Sequence, residues 1–455
     1  MNVKALEIHL GKQRIGVLFQ FAPAHAATIN RFVADEAFIN TIQQPTLSLS
    51  MLADTPQDQA LLWRDFQSTL FNGKLSKDGQ SWLLPAFFQN LLPEGVFRDQ
   101  LARARQCASN DHFELLAACG KDLPGNVYAL PVELSRAELG YYVTQDADAL
   151  EMSITAEPLE DGVSLSGFQP KLGVIKKGER YIARTKDQDT HIIAKLPVMS
   201  YPLLPEAEAL SLSLASTAGV NACNAYLAPM HKLAVQHHYE LGDVQANTNF
   251  LAVPRYDRNI GQRIHCEDFA QILGIMPENK YSSAHSYLDI AAAFLTYPSL
   301  GTEAVHELLR RITVNEMLGN PDMHLKNIGV WYPDGKTPEL PPAYDIVAHC
   351  IYTPSYGHGL RLLPQSLETQ LGPKELANGT HRQLRLSPMV LRVFCEALEI
   401  PEKPATAVIS KCVKDAVKTW PDMIENSLLF ESQKKKLLKY FLAHPLVKSV
   451  LRRQN

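Results

Sequence analysis

The sequence predicts an α+β chain of two lobes, the first rich in strands and preceded by a further subdomain, the second all-helical. Three observations predict it. At 455 residues the chain is too long for one ordinary core. Between residues 150 and 260, short apolar runs alternate with Gly-containing turns, the pattern of strands and hairpins. After Arg258 the apolar residues recur at helical spacing almost to the end.

Taken in order, residues 6–9 and 15–19 are apolar runs flanking Gly11-Lys12, which reads as a β-hairpin. The pattern turns helical from about residue 57 to 119, as in residues 113–119, with breaks at Pro93-Glu94-Gly95 and Pro124-Gly125. Residues 174–176 and 180–184 flank Lys177-Gly178-Glu179 as a second hairpin, and 191–196 reads as a strand. Residues 206–218 have helical spacing and end at Gly219, a C-cap. Short strands follow near 225–228 and 250–253. Helices are then predicted over 267–273, 286–296, 303–318 and 388–398 and in the C-terminal tail, with 332–371 irregular. These breaks divide the chain into residues 1–140, 141–258 and 259–455.

Composition narrows the function. The apolar fraction of 46% and charged fraction of 20% belong to a globular protein. Lys and Arg number 44 against 48 Asp and Glu, a formal charge of −4. Broad electrostatic binding of nucleic acid by this chain alone is therefore disfavoured. The basic tail from Lys434-Lys435-Lys436 to Arg453 reads as a solvated helix face. The seven cysteines are scattered and never spaced C-x-x-C, so neither a zinc site nor a disulfide framework is implied, which fits a reducing cytosol. No signal peptide and no membrane-spanning run is recognisable, and a cytoplasmic protein is expected.

The chemistry concentrates in Gly319-Asn320-Pro321-Asp322-Met323-His324-Leu325-Lys326-Asn327. Asp322 and Asn327 stand five apart, the D-x-x-x-x-N spacing of a kinase catalytic loop. Phosphoryl transfer is mostly positioning and charge neutralisation, and it needs three further devices. A loop over the phosphates is offered by residues 163–171, where Ser164, Ser166 and Gly167 favour turns. A strand lysine is offered by Lys195, a charge inside an apolar run, with Glu208 or Glu206 as its helix partner. A further Mg²⁺ ligand is offered by Asp345, 18 residues after Asn327. Each has a plainer reading: a hairpin loop, a snorkelling edge-strand lysine, a common Tyr-Asp pair, capping residues after a helix. Their conjunction in the chain order of a kinase is what carries weight. His324 has no second His or Cys at zinc-ligand spacing and reads as a residue that packs the loop.

These segments together resemble the HipA family of toxin kinases, through most of the chain. The resemblance runs through Asn90-Leu91-Leu92-Pro93-Glu94-Gly95 with Arg98, through residues 113–118 with Gly120-Lys121-Asp122, and through residues 164–171, which fit a Ser-x-x-Gly-x-Gln-x-Lys phosphate loop. It continues in residues 191–197, in Tyr256-Asp257-Arg258, and in Asp322-x-His324-x-Lys326-Asn327 with Tyr344-Asp345. It implies a protein-kinase-like fold and a Ser/Thr protein kinase using ATP and Mg²⁺. Asp322 would be the catalytic base, and Asn327 and Asp345 the Mg²⁺ ligands. Ser164, Ser166, Gly167, Gln169, Lys171, Lys195, Glu208, His324 and Lys326 would surround the nucleotide, and the hinge backbone from Val253 to Arg255 would meet adenine. The family phosphorylates an aminoacyl-tRNA synthetase, glutamyl or tryptophanyl, and is held by a helix-turn-helix antitoxin that makes most DNA contacts. Ser164 would be an autophosphorylation site that turns the enzyme off. Ser166, Ala in some members, makes this loop similar to the family's two-serine variant. Two other readings stand beside this one: a small-molecule kinase on the same scaffold, and a non-catalytic regulator.

Overall fold

The computed structural model describes residues 2–21, 28–79, 81–142, 151–152, 157–159, 162–165, 169–185, 188–237, 239–242, 244–259, 261–281, 284–353, 357–372 and 384–454. Its first body is a sheet of order β3-β2-β1-β4, formed by β1 (Asn2–Leu10), β2 (Gln13–Phe21), β3 (Ile29–Ala34) and β4 (Val127–Pro131). The expected first hairpin is there, turning at Gly11 with φ +62°. Both faces of this sheet are covered, which is why residues 15–19 lack clean alternation. Leu6, Ile8, Leu18 and Phe32 pack on Phe87, Phe88, Leu115 and Leu116 from the helical stretch. Ala5, Val17 and Phe19 pack under Leu134 and Leu139, the latter in the helix Arg136–Tyr142. A fifth strand, β5 (Glu151–Met152), runs parallel to β1. The subdomain therefore draws on chain beyond residue 140, where the sequence pattern placed a break.

The second body is a six-stranded sheet of order β10-β7-β6-β8-β11-β9. Its strands are β6 (Lys171–Lys177), β7 (Arg180–Ile182), β8 (Ile192–Lys195), β9 (Tyr226–Pro229), β10 (Leu233–Ala234) and β11 (Asn249–Pro254). The β6–β7 hairpin turns at Gly178, φ +59°. The helix Leu204–Thr217 takes Pro205 in its first turn, where no N–H is needed, and is followed by Gly219 at φ +87°. Lys195 pairs with Lys171 on β6 and Leu251 on β11. Directly opposed residues share a face, so the two lysines lie side by side on one face of the sheet.

The third body is mainly helical: Tyr287–Thr296, Gly301–Leu318, Pro388–Ala397, Glu402–Glu425, Glu431–Ala443 and Pro445–Gln454. Its core holds Trp420, Ile312, Leu309 and Phe441, and residues 332–371 are largely irregular, as expected. The expectation of an all-helical lobe needs one correction. His265–Asp268 (β12) is a strand paired with Gly329–Tyr332 (β13), and the helix read over 267–273 is only Phe269–Ile272. The Asp268 carboxylate accepts from the Gln271 N–H and the Gln271 side chain returns the bond, so this capping box sets the helix start after Asp268. The β12–β13 pair brackets the catalytic-loop sequence.

The first body is docked on the other two by buried polar contacts. The Asn90 amide donates to the Ile275 carbonyl (2.8 Å), the Gln271 amide to the Phe87 carbonyl (3.2 Å), and the Leu49 N–H to Glu267 Oε1 (2.8 Å). His265 Nε2 donates to the Leu47 carbonyl at 2.7 Å, and burial pushes its pKa down to about 4. His112 Nδ1 accepts from Gln89 (3.0 Å) and Arg98 (2.7 Å), so burial and the neighbouring guanidinium also hold it at about 4. Both rings are neutral when folded but titrate near about 6.5 when unfolded. Stability is thus complete above about pH 6.5 and is lost as pH falls toward 4, because the unfolded chain then binds more protons. From pH 7 to 5 the loss should be about 1–2 kcal/mol per histidine. Urea midpoints that do not fall over this range would contradict it.

Candidate active site

The sequence places a charge in an apolar strand at Lys195, and the structure shows what that charge meets. Its ammonium donates to Glu208 Oε1 and to Asp345 Oδ1. Glu208 is 1% exposed and lies on the helix Leu204–Thr217. Glu206 instead accepts from the Asn249 amide (3.2 Å), so of the two candidates Glu208 is the partner. Burial opposes the Lys195 charge, but Asp345 and Glu208 outweigh it and raise its pKa. Burial and the nearby Asp345 raise Glu208. Burial raises Asp345 too, yet Lys195 and Lys171 overcome it and bring it down to about 2. Lys171, opposite Lys195, is also buried, which lowers its pKa. Two buried lysines on one face of a sheet are tolerable only where anions converge on them.

The catalytic-loop residues follow the helix Gly301–Leu318, which ends at Gly319 in a left-handed conformation (φ +61°). A Cβ at Gly319 would sit 2.9 Å from the Cys350 Cβ and 3.0 Å from the Tyr440 ring, so the position requires glycine twice over. The Asn320 amide donates to Asn315 Oδ1 (2.6 Å), and its oxygen accepts the Asp322 N–H (3.2 Å). The Asn327 amide nitrogen donates to the Asp322 carbonyl at 2.8 Å. Because a carbonyl only accepts, that bond fixes the amide orientation and leaves Asn327 Oδ1 as its free ligand atom. Asn327 and Asp345 line one small recess with Asn315 and Ala343. Asp345 itself has φ +55°, an uncommon backbone state that Asp tolerates better than most residues. The Asp322 carboxylate is 42% exposed and accepts from the Tyr281 hydroxyl.

Between the lobes lies a cleft whose lining combines Leu91, Ile193, Val253, Tyr256 and Tyr344 with Lys171, Lys195 and Asp345. Apolar walls with paired cations among them suit a flat base joined to a polyanion. Gln169 borders it, its amide donating to the Leu196 carbonyl (3.1 Å). Of the expected phosphate loop, Ser166 and Gly167 lie outside the described residues. Ser164 is 1% exposed, donating its hydroxyl to the Leu91 carbonyl and its N–H to the Asp122 carbonyl (3.0 Å). It therefore leans on the N-terminal subdomain rather than standing open between two strands.

Three further side chains of the expected site are tied to protein partners. The Arg255 guanidinium is turned into an ion cluster with Asp122 (3.0 Å) and Asp257 (2.8 Å), since a buried charge must be paired. Lys326 donates to the Asn90 carbonyl (2.8 Å) and lies 3.5 Å from Glu94 and 3.7 Å from Asp268. His324 accepts the Lys326 N–H on Nδ1 (3.2 Å) and packs edge-on against Tyr281; burial holds its pKa at about 4. Arg255 and Lys326 line the cleft while their charges are held by these protein partners, and His324 packs within the catalytic loop. The sequence reading missed Tyr281 and the cleft-lining role of Asn90 and Leu91. The segment Asn90–Gly95 stood out as a motif, whereas nothing local marks Tyr281.

Among the described residues, no group of three or more His, Cys, Asp or Glu side chains could hold a metal. Mg²⁺ in phosphoryl-transfer sites takes one or two protein ligands and completes its shell with waters and phosphates. The free Asn327 oxygen and the Asp345 carboxylate fit that requirement. Also among the described residues, no helix is long and apolar enough to cross a membrane.

A strand lysine bridged to a helix glutamate and a returning aspartate, beside an exposed aspartate anchored to an asparagine five residues on, defines a phosphotransferase site of the protein-kinase kind. Residues 6–130 match the HipA N-terminal domain and residues 163–420 the HipA-like C-terminal domain, so the chain belongs to the HipA family and is a kinase. It is 31% identical over 325 residues to Y4dM of Sinorhizobium fredii, a candidate kinase, covering 70% of this chain and 72% of that protein. It is 28% identical over 305 residues to the serine/threonine-protein kinase toxin HipA of Shewanella oneidensis, covering 61% and 66%. The fold matches a chain in the solved complex of Shewanella oneidensis HipA, HipB and operator DNA with TM-score 0.66, covering 98% and 97% at 19% identity.

Proposed function

We propose that the chain is a toxin serine/threonine kinase that moves the γ-phosphate of ATP to a protein hydroxyl. The proposed target is an aminoacyl-tRNA synthetase, glutamyl or tryptophanyl, whose modification stops charging and growth. The observation that carries the kinase reading is Lys195 bridging Glu208 and Asp345, next to Asp322 and its anchored Asn327. In this reading Lys195 turns from Asp345 to the nucleotide phosphates while Glu208 keeps hold of it. Asn327 Oδ1 and Asp345 would hold Mg²⁺, whose bound charge would offset that of the phosphates. The open Asp322 carboxylate accepts the proton of the attacking hydroxyl. A helix-turn-helix antitoxin is the proposed partner and would supply most DNA contacts, in keeping with the −4 charge of this chain.

The loop serines are the proposed off-switch. The Ser164 hydroxyl is buried as a donor to the Leu91 carbonyl. Phosphorylation replaces that donor with a group of about −1.5 to −2 charges that only accepts or repels there. A phosphorylated Ser164 cannot return to this position, so the loop stays out of the cleft. The test is to incubate the purified chain with Mg-ATP and map phosphosites over time. ATP-dependent modification of Ser164 or Ser166 with parallel loss of kinase activity is expected. Phosphate on neither serine would overturn the switch, and no transfer to any protein, itself or in extract, would overturn the kinase reading.

A further inference from the structure

Asp322 does not stand alone in its loop. One of its oxygens, Oδ1, accepts from the Tyr281 hydroxyl, leaving Oδ2 for an incoming acceptor. The Tyr281 ring meets His324 edge-on, with centroids 4.7 Å apart, so both its plane and its hydroxyl are held against the loop. His324 cannot replace it: Nε2 lies 4.0 Å from Asp322 Oδ1, beyond hydrogen-bond reach.

The segment that presents Tyr281 is gripped by the N-terminal subdomain. Lys280 donates to Glu94 Oε2 at 2.7 Å, while Glu94 Oε1 lies 3.5 Å from Lys326 in the catalytic loop. Glu94 thus joins the two lysines that flank the Tyr281–Asp322 pair, and these lysines hold its pKa down against burial. The Leu325 N–H donates to the Lys280 carbonyl (3.2 Å), and Lys77 donates to Asn279 Oδ1 (2.8 Å). The 277–281 segment and the 322–327 loop are one braced unit whose keystone comes from a different subdomain.

We infer that Tyr281 is a positioning residue for the base Asp322, and that Glu94 of the N-terminal subdomain sets its place. This rests on the reading of Asp322 as the base. A carboxylate with 42% of its surface open would otherwise sample several rotamers, and the tyrosine bond selects the one that aims Oδ2 at the acceptor. The N-terminal subdomain is, on this account, part of the catalytic apparatus and not an accessory.

The test measures single-turnover transfer of labelled γ-phosphate from saturating Mg-ATP to the full-length chain itself, with ATP affinity by calorimetry and the melting temperature alongside. Tyr281→Phe keeps the ring against His324 and removes only the hydroxyl. Transfer should fall about tenfold, as misplacement of a reacting group does, with ATP affinity and melting temperature unchanged. Glu94→Gln should slow transfer in the same direction, and Tyr281→Phe should add nothing in an Asp322→Gln background. Unchanged or faster transfer in Tyr281→Phe, with Asp322→Gln inactive, overturns the positioning role and leaves the base in place. Transfer that survives Asp322→Gln overturns the base reading and this inference with it. A slow Tyr281→Phe that also loses ATP affinity or melts early would show a merely structural residue.

Discussion

Asp322→Gln is expected to reduce phosphoryl transfer by at least about 10²-fold, the lower bound of what a positioned general base contributes. Mg-ATP affinity should stay within about twofold, because the substitution spares every group proposed to hold the nucleotide. Asn327 is anchored to the Asp322 backbone carbonyl, not to its carboxylate, so the proposed metal ligand keeps its aim. Lys195 and Glu208 lie outside the loop, and their pairing does not involve Asp322. The side chain is 42% exposed, so its replacement should cost little stability. Calorimetric ATP binding together with label transfer separates these effects. Retained transfer, or binding lost along with transfer, would contradict the assignment of Asp322 as base.

The second large effect concerns stability. Asp122→Ala should cost about 3–5 kcal/mol, the range seen when one partner of a buried ion pair is removed. Asp122 is fully buried in the turn after the helix His112–Cys119. Its Oδ1 accepts from Arg255 (3.0 Å) and Arg258 (2.9 Å), and its Oδ2 from the Thr190 hydroxyl (2.7 Å). Asp257 completes the group, accepting from Arg255 (2.8 Å), Arg258 (2.7 Å) and the Gly125 N–H (2.8 Å). Arg184 lies 3.9 Å from the same carboxylate, so Asp122 faces three buried guanidiniums. Without Asp122, Arg255 and Arg258 are left to share Asp257. The cluster ties the N-terminal subdomain to the chain just past β11, where the hinge begins. Urea unfolding measures the loss, and limited proteolysis at the 121–125 turn should speed up in parallel. A midpoint within about 1 kcal/mol of the unsubstituted chain would show that the cluster is not the tie described here.

That cluster also shows how far the residues could be read in isolation. Gly120-Lys121-Asp122 and Tyr256-Asp257-Arg258 stood out as two unrelated motifs, and folding makes them halves of one object. The hairpins at Gly11 and Gly178 and the helix ending before Gly219 were legible because turn chemistry and periodicity are local. The strand His265–Asp268 was not, since its reason for being extended is Tyr332 and its neighbours, more than sixty residues away. The side-chain partners of Lys326, His324 and Arg255 were not legible for the same reason: burial decided them, and burial is a property of the whole fold.

The order of chemical groups along the chain, from Lys195 and Glu208 through Asp322 and Asn327 to Asp345, was determined by the sequence, since spacing and residue type are written there directly. Only the tertiary structure decided that Lys195 bridges Glu208 and Asp345, that Ser164 is sealed against Leu91, and that Glu94 reaches the catalytic loop through Lys280 and Lys326. These are contacts between residues far apart in the chain. They exist because buried charges and donors must find partners wherever packing brings them, and no local pattern encodes that choice.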